Sequence, residues 1–551
     1  MDKLSENTIG QWLEYWAQND PDRDFVVYSD RNLHWTFNDV NERVDQMAKG
    51  MMNIGAGKGT HIGILANNVP DWITVLLACS KIGAVSIPVN TNFKRIELED
   101  IMQRADMEMI FIVEHCKDND YAEIMYRILP ELKTQPLGQL HSTRFPKMKA
   151  VILMGTAHRR GMYTTVDLLS GAAWVKDKDY QSIKHAVNAH DLTNIQFTSG
   201  TTGYPKGAML SHYNICNNGY LTGVHLRFTP DSKLCLCVPF FHCFGLVMGI
   251  MNCLVHHCTM VICETFDPML VLYSIAHERC TSLFGVPTMF LGILSHPLFK
   301  RFDLSSLYAG IMAGSICPAS LIRRVEEEMG MIVCTEYGFT ESSPGMTATR
   351  WDDPFDIRSN TVGKAFEDSV ITVRDKDDKE CPVGVEGELC NRGYNNMLGY
   401  YKDPESTAEI LDKEGNLHTG DLGFKDEKGY FHISGRIKDM IIRGGENIYP
   451  HEIEQFLYHL PEIKIIQVVG VPSEKYGESV GAFIELKKGS TLQASDITDF
   501  CKDKIARYKV PKYIFFLKNG EWPLTGSGKI QKFKLKKKAV EICKKEGRTI
   551  I

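Results

Sequence analysis

The sequence predicts a multidomain α/β protein. Doubly wound α/β subdomains and a small β-rich subdomain make up a large N-terminal part, and a compact α+β domain follows on a hinge. Three observations carry that expectation. In the first half, short apolar runs alternate with helical patterns, the texture of parallel strands covered by helices on both faces. From about Gly363 to Phe431 short runs break at Gly, Asp and Pro, as β-hairpins or a small barrel do. The end of the chain carries its own amphipathic helix, strands and basic tail. The 551 residues, at about 150 per domain, fit that division.

In order, His61 to Leu65 reads as a strand, Asp71 to Ile82 as a helix and Ala84 to Val89 as a strand. Glu97 to Arg104 (helix), Met109 to Val113 (strand), Tyr121 to Leu132 (helix) and Ala150 to Leu153 (strand) continue the alternation. Near the end, Glu452 to Leu460 places Ile453, Phe456, Leu457 and Leu460 on one helical face. Strands at Ile465 to Val471, Ala482 to Leu486 and Tyr513 to Leu517 and a helix at Ser495 to Ala506 complete that domain. The linker expected between the two parts is Ser434 to Asp439, which gives domains of 1–436 and 437–551, with the β-rich subdomain at about 363–431. No repeat of 20–50 residues appears, which excludes solenoids and propellers.

Composition narrows the class. Against 62 Lys+Arg stand 68 Asp+Glu, a net charge of −6, so no basic excess marks a nucleic-acid surface. None of the 16 cysteines is spaced C-x-x-C, which excludes zinc-ribbon and redox readings. Many lie in apolar runs, as Cys253, Cys258 and Cys263 do, and behave as small hydrophobes. Met1 to Asn19 lacks the apolar core of a signal peptide, and the expected compartment is the reducing cytoplasm. Leu234 to Cys263 has no charged residue, yet Pro239, His242, Gly245, Gly249, Asn252, His256 and His257 interrupt it. A buried helix and a buried strand are expected there rather than a membrane span.

The segment richest in chemistry is Thr198-Ser199-Gly200-Thr201-Thr202-Gly203-Tyr204-Pro205-Lys206-Gly207. Glycines let backbone N–H groups turn inward round an anion, hydroxyls add donors, and lysine adds a point charge. It is not a Walker A loop, since G-x-x-x-x-G-K-[ST] is absent from the chain. A phosphate cradle explains it better than a polar turn does.

This segment resembles the signature loop of the adenylate-forming superfamily: acyl-CoA synthetases, nonribosomal adenylation domains and luciferases. Tyr337-Gly338-Phe339-Thr340-Glu341, Thr419-Gly420-Asp421, Gly435 to Asp439 and Pro523 to Lys529 are similar to further motifs of that family, in family order. The resemblance implies ATP, Mg²⁺ and coenzyme A as cofactors. Glu341 would hold Mg²⁺, Thr340 would donate to the α-phosphate, and Tyr337 would lie on the adenine, with Gly314 and Ser315 at its edge. Asp421 would accept the ribose hydroxyls and Arg436 would reach ribose and phosphates. Lys529 would contact the α-phosphate and the acid's carboxylate. His242 would gate the passage between acyl pocket and thiol, Lys438 would be the hinge pivot, and Gly444-Gly445 would line the thiol's tunnel. Ser473 and Gln531 depart from the family pattern at positions remote from the chemistry.

The function so implied is AMP-forming acid–thiol ligation: carboxylate and ATP give acyl-AMP and pyrophosphate, and CoA then displaces AMP. Texture favours medium- to long-chain fatty acids, with Gly338 expected to leave room at the floor of an apolar tunnel lined by Phe240, Phe241, Phe244, Leu246 and Met248. The alternatives are an enzyme that loads a separate acyl carrier protein and an aryl acid–CoA ligase. Lys532 to Lys545 read as surface charge. Expected partners are small molecules, not nucleic acid; peripheral membrane contact and a homodimer stay open.

Overall fold

The computed structural model describes residues 4–198, 205–315, 317–443, 446–473, 476–502, 504–526 and 528–546. Among them, two large sheets fill the first 400 residues. The nine-stranded sheet runs, edge to edge, Lys364–Ala365, Gly345–Ala348, Ile332–Gly338, Ala309–Ala313, Ser282–Gly285, Lys233–Leu236, Thr259–Ile262, Asp24–Tyr28 and Leu33–Thr36. Its interior is parallel, and antiparallel strands close both edges. The eight-stranded sheet runs Gly399–Tyr400, Lys206–Ser211, Leu192–Thr198, Val85–Pro88, His61–Leu65, Met109–Ile112, Ala150–Leu153 and Tyr163–Thr164. One continuous apolar core joins both sheets, with Trp72, Phe111, Phe240 and Phe284 fully buried.

An antiparallel sheet of Ser369–Arg374, Gly387–Gly393, Leu417–Lys425 and Phe431–Arg436 follows. The last sheet orders Glu446–Ile448, Ile441–Arg443, Gly477–Leu486 and Ile463–Ser473, and Tyr513–Phe516 pairs parallel to Gly477–Leu486. It has cores of its own, one round Ile453, Val468, Val480 and Ile497, the other round Phe483, Trp522, Leu535 and Cys543.

Several expected elements differ at their ends for local reasons. The helix from Tyr121 stops at Ile128, because Pro130 cannot continue it. The helix after Gln493 spans Ala494–Cys501, shorter than Ser495 to Ala506. The expected linker is structured: Phe431–Arg436 is a strand and Ile437–Asp439 a single 3₁₀ turn. The uncharged stretch opens with strand Lys233–Leu236 and continues as a π-helical segment, Phe244–Met251, before strand Thr259–Ile262. Among the described residues, no helix is long and apolar enough to cross a membrane.

Lys532–Lys545 corrects the reading as mere surface charge. It is a helix whose Leu535, Ala539 and Cys543 are buried. Lys532 Nζ lies 2.7 Å from the fully buried Glu454 carboxylate, so this lysine is structural.

Candidate active site

Strands Leu192–Thr198 and Lys206–Ser211 pair antiparallel with Thr198 opposite Lys206, so the glycine- and hydroxyl-rich segment connects a hairpin. Ser199, Gly200, Thr201, Thr202 and Gly203 lie outside the described residues. At the hairpin's base, Lys206 Nζ sits 5.2 Å over the Tyr400 ring. Tyr400 in turn donates its hydroxyl to Glu341 Oε1 at 2.6 Å. This tyrosine, absent from the sequence reading, ties the hairpin to the Tyr337–Glu341 segment.

Glu341 is buried, which pushes its carboxyl above the usual range, while the Tyr400 hydrogen bond and the charges of Arg436 and Lys206 oppose that rise. A desolvated acid whose hydrogen-bond partner is a phenol is electrostatically unsatisfied, and a hard cation suits it.

Strand Ile332–Gly338 brings Tyr337 to Asp421, with the hydroxyl donating to Oδ2 at 2.7 Å. Asp421 faces Arg436 across an antiparallel pair, and Arg436 Nε lies 2.9 Å from its Oδ1. The loop before Asp421 is tightly fixed. Gly420 takes φ +68°, its N–H donates to Glu388 Oε1, and the Asp421 N–H donates to Thr419 Oγ1. Burial raises the Asp421 carboxyl, opposed first by the Arg436 charge; the Asp421 charge in turn raises the guanidinium. Oδ2 thus accepts the Tyr337 hydroxyl, while the buried Oδ1 is paired in charge with Arg436 but takes no hydrogen bond among the described residues.

The tail that carries Lys529 reaches the large sheets. Leu524 bridges Ile530, Lys529 N–H donates to Thr525 Oγ1, and a Cβ on Gly526 would stand 2.6 Å from the Asn90 and Asn92 side chains. The Lys529 stem crosses Gly314, which has φ +85° and where a Cβ would lie 2.9 Å from Lys529 Cε. Only glycine leaves that path open. Ser315 next to it is exposed. Burial lowers the Lys529 ammonium, Cys243 opposes that and the Arg436 charge adds to it.

His242 and Cys243 complete the centre. The Phe244 N–H donates to His242 Nδ1 at 3.2 Å, which leaves the imidazole proton on Nε2. Burial and then the Lys529 charge pull this histidine down to about 3, so it is neutral at ordinary pH. Cys243 Sγ lies 3.6 Å from His242 Nδ1 and 3.7 Å from Thr340 Oγ1. The sequence reading missed Cys243, because nothing separates it from the other buried thiols until Thr340 is brought beside it.

One expectation changes. Gly338 does not make room at a pocket floor: a Cβ there would stand 1.8 Å from the Pro344 carbonyl oxygen, so backbone packing demands glycine. Gly444 and Gly445 lie outside the described residues. Lys438 sits in the exposed 3₁₀ turn, away from this cluster's side-chain contacts.

Residues 13–401 match the family model described as AMP-binding enzyme, and residues 452–529 match the AMP-binding enzyme C-terminal domain. The chain belongs to the AMP-binding enzyme family. Over 98% of its length this family member is 43% identical to YngI of Bacillus subtilis (strain 168), by name an acyl-CoA synthetase, and covers 99% of it. It is 38% identical to the mitochondrial medium-chain acyl-CoA ligase ACSF2 of Bos taurus, covering 97% of this chain and 88% of that one. Among solved structures, ATP-bound MatB of Rhodopseudomonas palustris superposes with a TM-score of 0.82 at 26% identity, over 97% and 100% of the two chains. The anthranilate CoA ligase AuaEII in complex with anthranoyl-AMP shares the fold, with a TM-score of 0.85 at 24% identity over 98% and 99%. The AMP-binding enzyme described here is an acid–thiol ligase that proceeds through an adenylate.

Proposed function

We propose that the enzyme is an ATP-dependent acyl-CoA synthetase for medium- to long-chain acids, with the division of labour set out here. The observation that carries the reading is the convergence of Lys529, Thr340 and His242 beside Gly314 and Cys243, with the exposed Arg436 at the edge, although the tail and the large sheets are far apart in sequence. An ammonium in that position neutralises charge as the acid's carboxylate attacks the ATP α-phosphorus and pyrophosphate leaves. Positioning and charge neutralisation supply the acceleration, and no protein nucleophile is needed.

Asp421 and Tyr337 fix the ribose end, with Arg436 shared between ribose and phosphate. The hairpin of Thr198 and Lys206, with Ser199 to Gly203 between them, carries the β- and γ-phosphates. Glu341 is the residue that would hold Mg²⁺, which would supply charge neutralisation on the triphosphate. His242, neutral and with no carboxylate partner among the described residues, closes the passage between acid and thiol rather than moving a proton. The thiol of CoA then displaces AMP.

We take 1–436 and 437–551 as the two moving parts, with Lys438 as pivot and Gly444-Gly445 as part of the thiol's route. Among the described residues no cysteine is joined in a disulfide, which supports a cytoplasmic setting. The test is pyrophosphate release and thioester formation over straight-chain acids from acetate to octadecanoate and over aryl acids, with CoA and with a holo carrier protein as acceptors. Within the fatty acids, each added CH₂ should improve kcat/KM by up to about 0.8 kcal/mol until the pocket is full. A flat profile, or transfer to the carrier alone, contradicts the assignment.

A further inference from the structure

The signature strand has a second face. Tyr337 points its hydroxyl at Asp421, and strand alternation turns the preceding residue, Glu336, to the opposite side. There helix His212–His225 covers the sheet, and Thr222 Oγ1 donates to Glu336 Oε1 at 3.2 Å. The same helix packs along the π-helical segment Phe244–Met251, which begins one residue after Cys243. Nucleotide-binding groups take the Tyr337 face, so the acid's chain is left with the side where these three elements meet.

The surroundings of Glu336 are built to hold a carboxyl. Gly345 on the neighbouring strand makes the space, since a Cβ there would stand 2.4 Å from Glu336 Oε1 and 2.6 Å from the Phe366 ring. Asn218 fixes Gly345 from both sides, accepting from its N–H and donating to its carbonyl, each at 2.9 Å. Glu336 is only 8% exposed. Burial pushes its carboxyl up to about 8, with the Thr222 hydrogen bond and the Arg350 charge opposing. It is therefore mostly protonated at neutral pH and carries an O–H donor. Thr222 engages one oxygen; among the described residues no hydrogen bond engages the other. The single Thr222 hydroxyl proton is shared with the Asn218 carbonyl, 3.0 Å away, so Thr222 alone does not satisfy both oxygens of a desolvated carboxyl.

We propose that Glu336 selects the substrate by hydrogen-bonding an oxygen substituent, a hydroxyl or keto group, on the acyl chain. The proposal rests on the acyl-CoA synthetase reading above and narrows it to oxygenated acids over plain alkyl ones. A site that hydrogen-bonds a substrate oxygen rejects the analogue that lacks it, because its own polar group is then left unpaired.

The experiment compares kcat/KM for CoA thioester formation between straight-chain acids and their hydroxy and keto counterparts, substituted at each position in turn. Wild-type enzyme, Glu336→Gln and Glu336→Leu are assayed side by side. Wild type should favour at least one oxygenated acid over its parent by about tenfold or more. Glu336→Gln, which keeps a donor, should retain a preference. Glu336→Leu should lose it and favour the plain acid, with the KM for ATP unmoved, because the nucleotide lies on the other face of the strand. Should Glu336→Leu not fold, Glu336→Met carries the same comparison. Turnover of plain acids with no oxygen preference, or a preference that survives in the apolar variant, overturns this proposal alone. Absence of thioester with every acid overturns the synthetase reading and this one with it.

Discussion

Burial sets the behaviour of each acid in the site, and the partners decide which charge it seeks. Glu341 has a phenol where a surface glutamate would have water, a setting that a hard cation would suit. Glu341→Gln should cut adenylate formation by about 10²-fold, read as pyrophosphate release over a range of Mg²⁺ concentrations. Unchanged turnover and unchanged Mg²⁺ dependence would remove it from the site. Glu341, Asp421 and Lys529 stand out in the sequence because each lies in a short pattern with an unusual residue beside it. Tyr400 does not, since its partner lies 59 residues away and only the fold joins them. Gly338 was misread for the same reason: the obstacle to a side chain is the Pro344 backbone, which no local pattern shows. Gly338→Ala should therefore destabilise the fold by about 3 kcal/mol or more, as severe overpacking does, measured by urea unfolding. A stable, fully active variant would restore the pocket-floor role.

Elements were easiest to read where apolar runs were short and bounded. His61–Leu65 and Ala150–Leu153 form where the sequence put them, because buried parallel strands are continuously apolar. The segment after Pro239 was harder, since a π-helix buried on all sides carries no periodicity. Polar tethers between elements were invisible. Lys81, at the end of helix Pro70–Lys81, is fully buried and reaches Asn41 and Asp45 on helix Phe37–Asn53 and Glu14 on helix Ile9–Asn19. Lys81→Met takes the cation from Asp45, while Glu14 keeps Lys184 at 2.8 Å, and should cost about 2–4 kcal/mol of stability. The readout is the thermal midpoint, with half-reactions unaffected well below it; an unchanged midpoint would show that the three helices are held by apolar packing alone.

At the scale of the whole molecule, the Lys529 tail lies against the large sheets at Gly314, Asn90 and Asn92, while Tyr449 donates to Glu386 Oε1 and packs beside Gly435. This arrangement suits the first half-reaction. If the thiol must approach where Lys529 lies, rotation at the 3₁₀ turn Ile437–Asp439 would clear its way. Lys438→Pro, which fixes φ near −65°, should form acyl-AMP yet fail to make thioester. Loss of both steps in a folded variant would argue against that pivot.

The most direct measurement takes Lys529→Ala and follows the two half-reactions separately, pyrophosphate release from acid and ATP, and thioester formation from supplied acyl-AMP and CoA. The predicted result is adenylate formation reduced by about 10²-fold or more with thioester formation close to wild type, because the ammonium acts on the α-phosphate only while the acid attacks. Undiminished pyrophosphate release, or equal loss of both steps in a protein that remains folded by circular dichroism, would contradict a ligase that works through an adenylate made at Lys529.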